Sequence, residues 1–250
     1  MDLGISGRVA LVMGASKGIG RGIAGALAAE GARVAMASRS RERIEEAAEE
    51  VEGETVALVA DSVDLDRMAA LPAEVSELLG PVDILIANTG GPPLGGALDN
   101  SREEWELAYR ELVLSPRALI EASLPGMRER EWGRIVNVAS SSVREPIPHL
   151  TLSNTHRMAT VGFLKTLAGE VACDGVTVNT VATGRFATDR LASNWGSWEE
   201  MERGAAEGVP AGRLGQPEEF GDLVAFLCSE RASFLTGTVI PLDGGMLRSV

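Results

Sequence analysis

The segment Gly14-Ala15-Ser16-Lys17-Gly18-Ile19-Gly20 follows the apolar run Val9-Ala10-Leu11-Val12-Met13 and passes directly into Gly22-Ile23-Ala24-Gly25-Ala26-Leu27. A strand, a glycine turn and a helix start so close together leave few folds open. Glycines let the chain turn tightly and bring bare amides near a bulky anion. The head of the following helix adds unpaired N–H donors and a partial positive charge. Spacing alone says little, because glycine-rich turns are common. The position between strand and helix is what points to the pyrophosphate of a dinucleotide. A purely structural turn is the alternative reading.

Apolar runs alternate with helix-like stretches along the whole chain. Strands are expected at Arg8–Met13, Arg33–Ser38, Thr55–Val59, Val82–Ala87, Gly133–Val138, Val176–Val181 and Val239–Pro241. A period near 3.6 marks Ser40–Val51, Ser101–Met127 and Asn154–Val171 as helical, and Ser101 with Glu104 spells a capping box. Continuous apolar strands separated by helices imply a parallel sheet covered on both faces. The expected fold class is therefore α/β: a doubly wound, Rossmann-type sheet of about seven strands, with ligands at the carboxyl ends of the strands. Residues 1–250 read as one domain, with a mobile lid insertion near residues 189–209.

Composition narrows the partners. The net charge of −13, from 36 acids against 23 bases, argues against nucleic acid and anionic membrane, which both favour a basic face. No apolar run approaches the roughly 18 residues of a membrane span. The start of the chain does not read as a secretory signal. Cys173 and Cys228 have no metal or disulfide spacing, so both are expected to pack as small apolar side chains in a reducing compartment, with the cytoplasm the default location.

The second strand ends Met36-Ala37-Ser38-Arg39. A carboxylate at this point grips a ribose 2′-hydroxyl, whereas a basic residue accepts a 2′-phosphate. Ser38 and Arg39 offer no acid, and Lys17 adds a second cation, so NADP(H) is preferred over NAD(H). A solvated surface role for Arg39 stays open. Asp61, followed by Ser62, closes the third strand and can take the adenine amine, or else cap a helix.

At this point the pattern resembles the short-chain dehydrogenase/reductase family, and within it the 3-oxoacyl-carrier-protein reductase-like members, over essentially the whole chain. The glycine turn is similar to the family's cofactor turn, with Met13 where threonine is usual. Ala87-Asn88-Thr89-Gly90 resembles the asparagine motif after the fourth strand, and Ile135-Val136-Asn137-Val138-Ala139-Ser140 the strand bearing the catalytic serine. Gly212-Arg213-Leu214-Gly215-Gln216-Pro217-Glu218-Glu219, Leu235-Thr236-Gly237-Thr238 and Asp243-Gly244-Gly245 are similar to its carboxyl-terminal signature. The resemblance implies cofactor contacts at Gly14, Ser16, Lys17, Gly18, Ile19, Gly20, Arg39, Asp61, Ser62, Asn88, Gly90, Arg157, Gly184 and Thr188. It also implies a homo-oligomer, tetramer or dimer, paired through Ser101–Met127 and Asn154–Val171.

The centre of the pattern departs from the family. Counting from Ser140, its tyrosine falls on Ser153 and its lysine on Arg157; its asparagine falls near Leu112, and Thr183 replaces a proline before Gly184. A tyrosine begins near a pKa of about 10 and is tuned downward by a cation. A serine hydroxyl is a far weaker acid, and a guanidinium stays charged and relays no proton. Arg157 can still hold ribose hydroxyls. Ser140, Ser153, Arg157 and His156 are the candidate catalytic residues, with His149 a second possible proton donor. Packing or a subunit contact is the expectation for Tyr109. The missing acid–base help is worth about 10²–10⁴ in rate, whereas positioning alone is worth about 7–11 kcal/mol. An oxidoreductase acting on a small, apolar carbonyl or alcohol, with a 3-oxoacyl compound among the candidates, by an altered proton path is the leading expectation. A lyase or isomerase and a silent cofactor-binding sensor remain alternatives. Trp195, Trp198, Phe186, Met201 and Leu191 are expected to form the substrate lid, with Pro92-Pro93-Leu94 and Ile147 opposite.

Overall fold

Parallel neighbours cannot be joined by tight turns, so each crossover needs a helix or a long loop. In the computed structural model, which describes residues 1–192 and 197–249, β1 (Val9–Met13) leads into α1 (Gly18–Ala29), β2 (Arg33–Ser38), α2 (Arg41–Glu50), β3 (Thr55–Val59) and α3 (Leu65–Leu78). Next come β4 (Ile84–Asn88), α4 (Arg102–Tyr109), a π-helical turn (Arg110–Leu114), α5 (Ser115–Glu129) and β5 (Gly133–Ser140). The remainder is α6 (Thr151–Val171), β6 (Val176–Thr183), α7 (Asp189–Ala192), α8 (Trp198–Ala206), α9 (Pro217–Cys228) and β7 (Val239–Leu242).

The strands form one parallel sheet in the order β3-β2-β1-β4-β5-β6-β7, the doubly wound arrangement the sequence implies. Winding reverses between β1 and β4, which leaves a crevice beyond their carboxyl ends. Successive β1 side chains serve opposite faces. Ala10 and Val12 join a core with Ile23 and Leu27 of α1, Ile44 of α2 and Phe220 and Val224 of α9. Val9, Leu11 and Met13 join the other core with Met68 of α3, Leu119 of α5 and Leu164 of α6.

Two boundaries differ from expectation in a way that matters. β5 and β6 each run two residues further, because Ala139 pairs with Ala182 and Ser140 with Thr183. Ser140 is thus held in the ladder rather than in a loop. The periodic stretch Ser101–Met127 is not one regular helix. The capping box of Ser101 and Glu104 forms, but the π turn interrupts the helix at Arg110–Leu114. Such a turn releases a carbonyl from the regular ladder, and the Thr160 hydroxyl donates to that of Leu112 at 2.7 Å. The cysteines divide: Cys228 is buried, its thiol pushed up to about 12 by burial, whereas Cys173 is exposed, against the expectation that both pack.

At the amino-terminal end of β5 the almost fully buried Arg134 donates to the carbonyls of Ser229, Gly133 and Gly175. Its guanidinium lies 4.3 Å from the centre of the Trp132 ring, and that of Arg8 lies 3.9 Å from it. Burial lowers the Arg134 pKa, and the carbonyls satisfy its N–H groups. The amino ends of the strands are braced here; the crevice lies at their carboxyl ends.

α1 and α9 touch backbone to backbone. A Cβ on Gly22 would overlap the Pro217 carbonyl, and one on Gly221 would overlap the carbonyl of Gly22. Gly22→Ala should therefore force the two helices apart and cost about 1–3 kcal/mol in urea unfolding. An unchanged midpoint would show that the contact relaxes freely.

Candidate functional site

The glycine turn closes the β1 side of the crevice. Gly14 and Gly18 have φ of +62° and +53°, a region that side chains disfavour. A Cβ on Gly20 would overlap the Gly14 carbonyl oxygen, so only glycine lets the first turn of α1 fold back on the end of β1. α2, α3, α4, α8 and α9 each carry a side-chain cap or capping box and an acid in the first turn. α1 has neither. Its leading N–H groups, and the positive end of its dipole, are left to a ligand. Ser16 and the half-buried Ile19 complete the turn. These features fit a dinucleotide pyrophosphate.

Asn88, at the end of β4, fastens the two walls. Its Nδ2 donates to the carbonyls of Met13 at 3.1 Å and Gly14 at 3.4 Å, which fixes the turn from across the switch point. Asp61 is not a helix cap: its carboxylate accepts the Val63 N–H at 3.2 Å, and Asp64 caps α3 instead. The Ser62 hydroxyl donates to Glu111 at 3.3 Å. Glu111, one residue before Leu112, is brought by the π turn to the floor of the crevice, where its Oε1 lies 2.6 Å from the place of a Cβ on Gly90. Sequence reasoning missed Glu111. A lone acid in an apolar run carries no motif.

Arg157 sits deeper than a ribose-binding cation requires. Its guanidinium donates to Val138 O at 3.0 Å and Gly90 O at 2.8 Å, tying the end of β5 to the loop after β4. Burial pushes its pKa down to about 10, Glu111 pulls it up and Arg190 pushes it further down. The side chain is still cationic at neutral pH. Ser153, four residues earlier on the same face of α6, is buried. The Ser140 Oγ accepts the Ser142 N–H at 3.1 Å, which leaves the Ser140 hydroxyl hydrogen to donate elsewhere. Beside it the buried hydroxyls of Ser142 and Thr183 have no partner within the described residues.

His156 does not stand as a free proton donor. It is buried, its Nδ1 bonds Leu152 O at 2.8 Å, and its ring packs 5.2 Å from Trp105 and 6.2 Å from Tyr109. The ring joins α6 to α4, a geometry that gives it a packing role. Tyr109 keeps one side exposed beside it. His149 is exposed, with φ +61°, in the loop whose backbone pairs with Gly95. In the same loop the Glu145 carboxylate accepts the Ser249 and Arg248 N–H groups, which hold it below the usual carboxylate range.

The segment after β6 forms the outer wall. A Cβ on Gly184 would lie 2.6 Å from the Asp243 Cβ, so this glycine serves chain packing first. Thr188 accepts the Leu191 N–H at 3.4 Å and presents its methyl to Gly18. Lys17 is engaged by Asp189 at 2.9 Å, whereas Arg39 is exposed. Of the expected lid, Phe186 is buried edge-on against Phe220, and Met201 is buried with Ala205 and Leu214. Both belong to cores rather than a substrate wall. Trp198 is half exposed, Leu191 packs partly on the small core, and Trp195 lies outside the described residues. No group of three or more potential metal ligands occurs among the described residues, and no helix there is long and apolar enough to cross a membrane.

Comparison with known proteins gives concordant matches. The family model described as enoyl-(acyl carrier protein) reductase matches residues 14–247. The chain is 35% identical over 252 residues to 3-oxoacyl-[acyl-carrier-protein] reductase of Aquifex aeolicus, covering 98% of this chain and 100% of the relative. It is 34% identical over 248 residues to human dehydrogenase/reductase SDR family member 4, covering 96% and 88%. The structure of L-sorbose reductase from Gluconobacter frateurii, complexed with NADPH and L-sorbose, superposes with a TM-score of 0.94 at 33% identity, covering 100% of both chains.

Because His156 packs between helices, His156→Leu should lower the unfolding free energy by about 1–2 kcal/mol while leaving turnover of any accepted carbonyl within about threefold. A loss of activity above about 10²-fold in a normally folded variant would restore it as a proton donor.

Proposed function

The chain belongs to the short-chain dehydrogenase/reductase family, and from that premise we propose that it is an NADP(H)-dependent oxidoreductase that interconverts a carbonyl and an alcohol by an altered proton path. The observation that carries the reading is the uncapped, glycine-lined head of α1, pinned from across the crevice by Asn88. When bound, the nicotinamide would supply or accept the hydride.

The chain's own residues divide the remaining work. The α1 amides hold pyrophosphate, and Lys17 and Arg39 provide charge for a 2′-phosphate. Ser140, fixed in the β5–β6 ladder with its oxygen already taken by the Ser142 N–H, turns its hydrogen to the substrate oxygen and polarises it. Ser153 adds a second hydroxyl. Arg157 acts as a fixed cation near the reacting centre and passes no proton, so the final proton comes from water or substrate rather than from a tuned phenol. The substrate is a small carbonyl or alcohol compound, and its apolar part would lie against Pro92, Pro93, Leu94 and Ile147. Pairing through α4, α5 and α6 would make the protein a homo-oligomer.

A cofactor-binding sensor is the second reading, favoured by the commitment of Arg157 to two backbone carbonyls. Fluorescence titration should give tighter binding of NADPH than of NADH, and binding of neither at millimolar concentration ends both readings. In a carbonyl panel followed at the nicotinamide absorbance, Ser140→Ala should lower kcat about 10²-fold. Ser153→Tyr combined with Arg157→Lys should raise it by about 10²-fold, by restoring a titratable donor. Cofactor binding without turnover on any carbonyl would favour the sensor.

A further inference from the structure

Three consecutive residues reach across the mouth of the crevice. The Thr188 methyl lies 3.2 Å from the place of a Cβ on Gly18. Asp189 Oδ2 pairs with Lys17 Nζ at 2.9 Å, and the Arg190 guanidinium donates to Pro92 O at 3.3 Å. The start of α7 therefore straps the glycine turn on one wall to the loop beyond β4 on the other. The Lys17 and Asp189 side chains are 53% and 61% accessible, so water screens the pair and little free energy holds it shut.

We infer that Asp189 is an internal competitor for Lys17 and so sets how strongly this site distinguishes a 2′-phosphorylated dinucleotide from its 2′-hydroxyl counterpart. This rests on the NADP(H) reading of the crevice. A 2′-phosphate carries up to two negative charges at neutral pH and displaces the single carboxylate from Lys17. A 2′-hydroxyl is neutral and leaves the pair in place. NADPH must therefore break an existing contact to gain its own, whereas NADH need not, and Asp189 trims the advantage of the phosphate. The same exchange frees the strap on the glycine-turn side, while Arg190 keeps its hold on Pro92. The cation identified from the sequence is already partnered, and only the fold shows the partner.

The test is equilibrium titration of NADPH and NADH against the whole chain, reading nucleotide fluorescence rather than turnover. Asp189→Asn should tighten NADPH about two- to fivefold, the scale of an exposed ion pair, and leave NADH unchanged. The gain should shrink in concentrated salt. It should vanish in a Lys17→Ala background, where Asp189 has no cation to occupy. Equal tightening of both dinucleotides would mean that the crevice merely opens, and would overturn the inference; so would unchanged NADPH affinity in Asp189→Asn. If the unaltered chain binds neither dinucleotide, the functional reading falls together with the inference. If it binds NADPH but the variant shows no selective gain, the inference alone falls.

Discussion

Backbone meets backbone at Gly20. The Gly14 carbonyl fills the space where a Cβ would stand, so β1 and α1 are locked in a turn too tight for any other residue. The consequences spread outward from this contact. It aims the uncapped amides of α1 at the crevice, and Asn88 holds the turn from β4 on the far side of the switch point. The backbone contact of Gly22 and Gly221 then fixes α1 on α9, so the helix head cannot drift. A site of this kind needs few ligand-specific side chains. Its donors are main-chain groups, and their geometry comes from the fold itself.

Beside that fixed cradle a second cluster of polar groups gathers around Arg157. Arg157 brings a planar fork of permanent charge to the end of β5. The fork has found two carbonyl acceptors, Val138 at the end of β5 and Gly90 after β4, and braces the strand ends as well as lending charge. The π turn carries Leu112, with Thr160 satisfying the released carbonyl. That turn also swings Glu111 to the crevice floor, near Ser62 and within electrostatic reach of Arg157. Positive and negative charge are thus set close together where the cofactor would lie, and α7 adds Asp189 and Arg190 from above.

Periodicity and turn chemistry made the layers legible. Each expected strand forms, and the capping box at Ser101 forms as written. The misreadings share a physical origin. The π turn is invisible to a 3.6-residue period, because one extra residue per turn shifts the pattern only locally. The expected bounds of β5 and β6 stop at Val138 and Val181, and only the mutual pairing of Ser140 and Thr183 extends both strands. Phe186 and Met201 sit at lid-like positions in the chain but are drawn into cores by Phe220 and by Ala205 and Leu214, since large apolar groups go wherever water can be excluded. His156 has a reactive side chain, and only the fold shows that its ring packs against aromatic neighbours on α4.

By itself, then, the sequence determined the α/β class and the glycine cradle, because each depends on residue type and local spacing. Tertiary structure decided which polar groups meet: Lys17 with Asp189 across 172 positions, and Ser62 with Glu111 across 49. Electrostatic partners are chosen by distance in space, which a one-dimensional pattern does not contain, whereas turns and periods are written in neighbouring residues.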